Sequence, residues 1–176
     1  SILFADIAGF TPLSAELGVE DVVELLNDLT SGFDDIIERH GAEKIRTIGD
    51  GYMAASGVPT PRDDHARALA DAALEMLAFS HELSRKYEFP IRLRIGINSG
   101  TVMAGVIGRK KFSYDIWGDP VNVASRMESH GVADRIHIAE RTWELVKDEF
   151  VTEPRGTIEI KGKGMMKTWF LVGRKE

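Results

Sequence analysis

The sequence predicts a mixed α/β fold of the α+β kind, in which helices pack on an antiparallel sheet. Short apolar segments with strand character alternate with long stretches whose apolar residues recur at helical spacing. Glycine-containing turns at residues 49–51 and 99–100 join neighbouring strand segments, as in β-hairpins. A chain of 176 residues is long enough for one domain with a real core and short for two. We therefore expect residues 1–176 to form a single domain.

The first part of the chain predicts a strand, a helix and a hairpin. Residues 2–7 form an apolar strand segment. Apolar residues at helical spacing predict an amphipathic helix over residues 20–40 that ends at Gly41. Residues 43–49 and 52–57 predict two strands joined by a tight turn.

The second part of the chain continues the same pattern. Pro61 begins a second predicted helix, and residues 91–98 and 101–107 predict another strand pair. A third helix is expected near Pro120, and the tail, residues 135–176, mixes short strands with one short helix. The core order β-α-β-β-α-β is that of the ferredoxin-like fold, an antiparallel sheet with both helices on one face, here with a C-terminal α/β extension.

Composition excludes several classes of function. Lys and Arg number 22 and Asp and Glu 28, so the net charge is −6, and we expect no nucleic-acid partner because phosphate backbones bind basic surfaces. The chain has no cysteine, which excludes disulfides, thiolate metal sites and a cysteine nucleophile and fits a reducing cytoplasm. No apolar run reaches membrane-spanning length, so no membrane contact is expected within these residues. The chain begins inside a strand, which suggests a fragment of a longer protein that a membrane anchor or sensor segment could precede.

Two aspartates stand where apolar strands meet glycine-containing turns. Asp6 follows Leu3-Phe4-Ala5, and Asp50 lies between Gly49 and Gly51. A carboxylate at the end of a buried strand is costly unless a cation or a hydrogen-bond donor meets it. Each aspartate alone is typical of a turn. As a pair in this order of elements, they favour a site for a hard divalent cation such as Mg²⁺, with the Ile7 carbonyl as a possible third ligand.

A second polar constellation lies in residues 111–126. Asp119 is a favourable N-cap and Pro120 a favourable first helical residue, so a helix that starts there places Asn122 and Arg126 one turn apart on one face. Such a pair can hold a sugar oxygen and stabilise charge on a phosphorus centre. The alternative is a solvated face on which Arg126 pairs with an acid such as Glu128.

Four segments together resemble the class III adenylyl/guanylyl cyclase catalytic domain, in particular bacterial adenylyl cyclases that work as homodimers. The resemblance covers essentially the whole chain. The segments that carry it are Phe4–Thr11, Ile48–Met53, Arg94–Gly100 and Trp117–Glu128.

The resemblance implies conversion of ATP to 3′,5′-cyclic AMP and pyrophosphate with two divalent metal ions, Mg²⁺ or Mn²⁺, as cofactors. It implies that Asp6, Asp50 and the Ile7 carbonyl hold these ions. The ribose 3′-hydroxyl then attacks the α-phosphorus, with Asn122 orienting the ribose and Arg126 stabilising the transition state.

The resemblance also implies which residues select the purine. Arg46, four residues before Asp50, would donate to adenine N1, and Asp115 would accept from the adenine 6-amino group and repel the guanine oxygen. The family's adenylyl cyclases usually carry Lys at position 46, and Lys44 lies two residues away, on the same strand face if the strand is regular. We therefore expect an adenylyl cyclase that selects adenine. The alternatives are a guanylyl cyclase and a catalytically weak nucleotide-binding regulatory domain.

Arg94 matches a position where the family contacts the triphosphate. In the basic loop before the last strand the family places one lysine that binds the leaving phosphates, and either Lys161 or Lys163 matches it.

The family builds its active site between two catalytic domains. The resemblance implies that the metal aspartates come from one domain and the purine and transition-state residues from the other. Because this chain carries both sets, Asp6 and Asp50 in the first and Arg46, Asp115, Asn122 and Arg126 in the second, the resemblance implies a homodimer with two equivalent sites.

Overall fold

Strands and helices alternate along most of the chain in the computed structural model, which describes residues 1–176. The strands are β1 Ile2–Ile7, β2 Glu43–Ile48, β3 Gly51–Ala55, β4 Leu93–Asn98, β5 Met103–Ile107, β6 Ser113–Trp117, β7 Arg135–Ala139, β8 Phe150–Ile160 and β9 Gly164–Arg174. The helices are α1 Phe10–Glu16, α2 Val19–Arg39, α3 His65–Tyr87, α4 Asp119–Ser129 and α5 Glu140–Val146.

Seven strands form one sheet in the order β2-β3-β1-β4-β7-β9-β8. The first four strands in that order, with α2 and α3, make the ferredoxin-like core, and the remaining three extend the sheet. All neighbours are antiparallel except β4 and β7. The predicted fold class is therefore confirmed.

The two faces of the sheet carry different helices because side chains alternate along each strand. From β1, Leu3, Ala5 and Ile7 enter the large core cluster that also contains the apolar residues of α2 and α3. Ile2 points to the other face, where it packs in a smaller cluster with residues of α4. Asp6 shares the alternation of Ile2 and so lies on the α4 face.

Helix α4 lies very close to strand β4 at Gly96. A Cβ atom at this position would come within 2.1 Å of the Glu128 backbone nitrogen. Only a glycine allows this approach, so Gly96 sets how closely α4 packs on the sheet.

Residues 101–107 were expected to pair with 91–98, and this is wrong. Strand β5 pairs with β6 in a separate two-stranded ribbon. The chain leaves the sheet after Asn98, whose Nδ2 donates to the Pro120 carbonyl oxygen at 3.1 Å. Gly100 then packs against Pro120, where a Cβ would come within 2.6 Å of the proline ring. The segment therefore passes the start of α4 instead of turning back along β4.

Two local expectations also need correction, and one short helix was missed. Asp119 is the first residue of α4 and Gly118 holds the N-cap position, with no side-chain cap. The second long helix begins at His65, four residues after Pro61. The short helix α1 was not predicted. None of the helices combines the length and apolar character needed to cross a membrane.

Candidate active site

Strand register brings the two predicted metal-binding aspartates together at one end of the sheet. Ala5 lies opposite Tyr52 in the β1–β3 pair, so the end of β1 meets the turn that precedes β3. The Asp50 Oδ2 atom accepts a hydrogen bond from the Ile7 backbone N–H at 3.0 Å. Asp6 and Asp50 line one cavity of about 140 Å³.

Arg94 lies directly opposite Asp6 in the β1–β4 register. Its Nε donates to Asp6 Oδ1 at 3.2 Å and its Nη2 donates to Asp6 Oδ2 at 2.9 Å. This ion pair raises the pKa of Arg94. For Asp50, burial is the main effect and raises the pKa, and the neighbouring Asp6 charge acts in the same direction, against the Ile7 N–H bond.

Glu128 is the site residue whose role the sequence analysis missed. It was considered only as a partner for Arg126, but it lines the same cavity as Asp6 and Asp50. Its side chain is 14% exposed, and Oε1 lies 3.4 Å from Arg94 Nε. Burial, with the nearby Asp6 next in importance, raises the pKa of Glu128 to about 8. The signal in the sequence is helical spacing from the buried Val121 and Ala124, which places an acid on the apolar side of α4.

The arrangement fits a divalent cation that keeps much of its own hydration. Two carboxylates converge beside the Ile7 backbone, and a guanidinium already occupies the oxygens of one of them. No cluster of three or more His, Asp or Glu side chains is arranged as a ligand set. Mg²⁺ typically binds through one or two carboxylates plus substrate phosphates, so this small donor set suits it.

The two proposed purine-selecting residues form an ion pair with each other. Arg46 Nη1 lies 2.7 Å from Asp115 Oδ2, and Arg46 also lines the cavity with Asp6 and Asp50. The Asp115 Oδ1 atom accepts the Ile116 backbone N–H at 2.8 Å, which fixes the carboxylate.

Lys44 does not share a strand face with Arg46, and that expectation is wrong. The β2–β3 register shifts between the two residues, so that Lys44 pairs with Ala54 and Arg46 with the adjacent Met53. Such a bulge reverses the alternation of side chains. Lys44 accordingly lies 3.1 Å from Asp34 of helix α2, on the other side of the sheet from Asp115.

Asn122 and Arg126 lie one turn apart on α4, and both are exposed. Neither lines the cavity that contains Asp6 and Asp50. Glu128 pairs with Arg94, so the alternative pairing of Arg126 with Glu128 does not occur. Within one chain Asn122 and Arg126 therefore stay apart from the two aspartates, whereas Arg46, which was expected to act with them, lines the aspartate cavity.

Comparison with known proteins identifies the family. The family model for the adenylate and guanylate cyclase catalytic domain matches residues 1–173. The chain belongs to this family. An adenylate cyclase of Mycobacterium tuberculosis is similar, with 49% identity over 175 residues, which is 99% of this chain and 40% of that protein. The cyclase domain thus spans less than half the length of this curated relative.

Solved structures of cyclases from both branches of the class III family are similar to this cyclase domain. The adenylyl cyclase CyaB from P. aeruginosa superimposes with a TM-score of 0.95 at 30% identity, covering 99% of this chain and 94% of that one. The guanylate cyclase domain of RhGC from Catenaria anguillulae, solved in complex with GTP, has a TM-score of 0.94 at 39% identity, covering 99% and 96%.

The two lysines of the β8–β9 turn are placed differently in the cyclase domain. Lys163 forms an ion pair with Asp119 at the start of α4, three residues before Asn122. Lys161 is exposed and has no ion-pair partner. The structure therefore brings Lys163, but not Lys161, to the helix that carries Asn122 and Arg126.

A larger cavity lies elsewhere in the cyclase domain. It has a volume of about 670 Å³ and is lined by Ser1, His65 and Ser99, among others. None of the predicted site residues lines it. Its size alone does not make it the reaction site, because it holds neither of the converging carboxylates.

Proposed function

We propose that this domain is an adenylyl cyclase that converts ATP to 3′,5′-cyclic AMP and pyrophosphate. The observation that carries the proposal is the convergence of Asp6 and Asp50 on one cavity at the sheet end. A cyclisation of this kind needs no protein nucleophile, because the ribose 3′-hydroxyl of the nucleotide itself attacks the α-phosphorus.

Asp6, Asp50 and the Ile7 carbonyl are the groups proposed to hold the divalent ions. Bound Mg²⁺ or Mn²⁺ would supply Lewis acidity toward the ribose 3′-hydroxyl and the triphosphate. Asn122 would orient the ribose. Arg126 would donate hydrogen bonds to the phosphoryl oxygens as charge builds on them, which is typically worth about 3–4 kcal/mol of barrier.

Arg46 and Asp115 are the residues proposed to select adenine. Their 2.7 Å ion pair supports this role because it places a donor and an acceptor side by side, as the adenine edge requires. Lys44 is less suited, since it lies on the other sheet face with Asp34.

Arg94, Lys161 and Lys163 are proposed to contact the triphosphate. Arg94 already lies at the carboxylate pair. Lys163 is anchored at the start of α4, whereas Lys161 is exposed beside it. These cations would offset the negative charge of the departing pyrophosphate.

A homodimer is proposed because a single chain offers an incomplete site. The cavity at Asp6 and Asp50 is about 140 Å³, whereas small-molecule sites usually have about 300–1,000 Å³. Asn122 and Arg126 lie outside it and face solvent. The β5–β6 ribbon also carries large exposed apolar side chains that a second copy could cover: Met103, Val106, Ile107, Phe112 and Trp117.

The remaining proposals concern the cellular setting. Residues 1–176 are proposed to form one catalytic domain of a longer protein. A cytoplasmic location is proposed because ATP is the substrate and the cysteine-free chain suits a reducing compartment. Such a placement is compatible with a membrane anchor or a sensor elsewhere in the parent protein.

The direct test incubates the protein with Mn²⁺ and either ATP or GTP and quantifies both cyclic nucleotides. We expect cyclic AMP from ATP, and we expect Asp6→Asn and Asp50→Asn to abolish it. Asp71→Asn is a matched control, because Asp71 lies on helix α3, pairs with Arg174 and does not line this cavity. Undiminished turnover in Asp6→Asn or Asp50→Asn would remove the metal role.

Guanylyl cyclase is the second candidate, supported by the likeness to the RhGC domain, whose structure contains GTP. Cyclic GMP as the main product would establish it and would show that Asp115 does not repel the guanine oxygen. A regulatory domain without turnover is less well supported, because Asp6, Asp50, Asn122 and Arg126 are all present.

A further inference from the structure

Arg94 occupies both oxygens of a proposed metal ligand. Its guanidinium donates to Asp6 Oδ1 at 3.2 Å and to Asp6 Oδ2 at 2.9 Å. Because Asp6 and Arg94 face each other across β1 and β4, this pairing is built into the sheet register. Within the free chain, Arg94 therefore stands where a metal ion would otherwise balance the Asp6 charge.

A divalent cation on Asp6 competes with this guanidinium for the carboxylate. Each Asp6 oxygen keeps a second lone pair for a metal ion, but a guanidinium that stays charged and a divalent cation repel each other when both bind one carboxylate. The displaced guanidinium is only 33% exposed, so water can replace only part of the interaction that it loses. It needs a second acceptor within reach.

Glu128 is that acceptor. Its Oε1 lies 3.4 Å from Arg94 Nε, is buried and has no hydrogen-bond partner. The backbone that carries it is held in place, since α4 packs on Gly96 with no room for a Cβ atom. A small rotation of the guanidinium away from Asp6 would satisfy both groups.

We propose that Glu128 is a positioning residue that takes up the Arg94 guanidinium when a divalent cation binds Asp6. The proposal rests on the metal role of Asp6 and Asp50 in the proposed function. Metal binding is then an exchange of partners. Asp6 releases Arg94 and binds the ion, and Arg94 forms an ion pair with Glu128 instead. Arg94 then remains at the site, available to the triphosphate.

The test measures Mn²⁺ binding to the intact, nucleotide-free protein at pH 8.5, with free Mn²⁺ counted by electron paramagnetic resonance. Four proteins are compared: the unmodified chain, Glu128→Gln, Arg94→Met and the double variant. We expect Glu128→Gln to weaken Mn²⁺ binding about tenfold, which corresponds to about 1.4 kcal/mol. With Arg94→Met there is nothing to displace, so adding Glu128→Gln should change the dissociation constant less than about threefold.

Two results would overturn the proposal. The first is an unchanged dissociation constant in Glu128→Gln. The second is an equal loss with and without Arg94, which would mean that Glu128 acts on the ion directly. Glu153→Gln, which breaks a surface pair with Arg135, is the control for general loss of charge. If Glu128→Gln does not fold, Glu128→Asp, which keeps the charge but shortens its reach, should weaken binding in the same Arg94-dependent way.

The failure of this proposal is distinguishable from failure of the proposed function. If Asp6→Asn and Asp50→Asn bind Mn²⁺ as the unmodified chain does, the metal site itself is wrong. If they lose binding while Glu128→Gln does not, the metal site stands and the partner exchange is wrong.

Discussion

At the scale of single residues, the proposed function depends on which side chains the strand register places opposite one another. Asp6 lies opposite Arg94 because of the β1–β4 register. Asp50 accepts a hydrogen bond from the Ile7 N–H because the turn that carries it precedes β3. A change at any one of these positions leaves a partner unpaired, so its effect extends beyond the residue replaced.

Arg126→Ala tests the assignment of transition-state stabilisation. We expect kcat to fall by about 10²–10³-fold while the KM for ATP changes little, because the proposed contact strengthens only as charge builds on the phosphorus. Steady-state kinetics with Mn²⁺ and ATP measure both constants. Arg126 is exposed, so the folding stability should not change by more than a few tenths of a kcal/mol. A rise in KM at constant kcat would contradict the role.

His137 predicts a pH dependence of stability. Its imidazole is fully buried, and burial lowers its pKa from the usual 6.5 to about 4. Between these values the unfolded chain binds a proton that the folded chain does not. The free energy of unfolding should therefore fall as the pH falls from 6.5 to 4, by roughly 3 kcal/mol from this group.

Urea unfolding at several pH values measures this contribution as a difference from His137→Asn. The asparagine removes the titrating group. Its side-chain amide can still donate to the Met127 carbonyl oxygen, which lies 2.8 Å from Nδ1 of His137. The variant should be less stable near pH 7 and should lose less stability on acidification. Parallel curves for the two proteins would assign the acid sensitivity to other groups.

Several residue placements could be predicted from the sequence and others could not. Asp6 and Asp50 come together as predicted because both follow from strand order and a glycine-marked turn. Glu128 was missed because its role depends on the distance between α4 and β4, a tertiary feature. Lys44 was misplaced because nothing in the sequence marks the bulge between it and Arg46.

At the scale of elements, the approach of α4 to the sheet controls the site. Gly96 admits the α4 backbone at Glu128, and α4 carries Asn122 and Arg126 on its exposed side. The position of this helix therefore couples the carboxylate end of the sheet to the residues proposed to act on the phosphoryl group.

Gly96→Ala should push α4 away from β4, since the new Cβ would lie 2.1 Å from the Glu128 nitrogen. Overpacking of this kind typically costs about 1–3 kcal/mol, and the displacement of Glu128 should lower cyclase activity as well. Chemical denaturation and the cyclic AMP assay measure the two effects. Gly173→Ala, in strand β9 with no atom within 4 Å of its Cβ, is the matched control and should be nearly neutral. Equal stability of the two variants would contradict the packing account.

The elements themselves were predicted to different degrees. The long helices and the core strands follow from strong apolar periodicity. The β5–β6 ribbon was not predicted, because a glycine-containing turn after Asn98 resembles a hairpin turn, whereas Gly100 in fact packs on Pro120. The short helix α1 has too few residues for a periodic signal.

At the scale of the whole molecule, each chain is proposed to carry two half-sites. Asp6 and Asp50 belong to one half, and Asn122 and Arg126, which lie outside that cavity, belong to the other. A two-fold dimer would join the first half of one chain to the second half of its partner and form two equivalent sites. Activity per chain should accordingly fall on dilution below the dimerisation constant.

Mixing two inactive variants tests this central claim most directly. Asp50→Asn destroys the first half-site and Arg126→Ala impairs the second, so each homodimer is inactive or nearly so. After subunit exchange, half of the dimers are mixed, and each mixed dimer has one intact and one doubly altered site. We predict cyclic AMP formation at about one quarter of the unmodified rate. A mixture no more active than the sum of its two separate components would contradict the account.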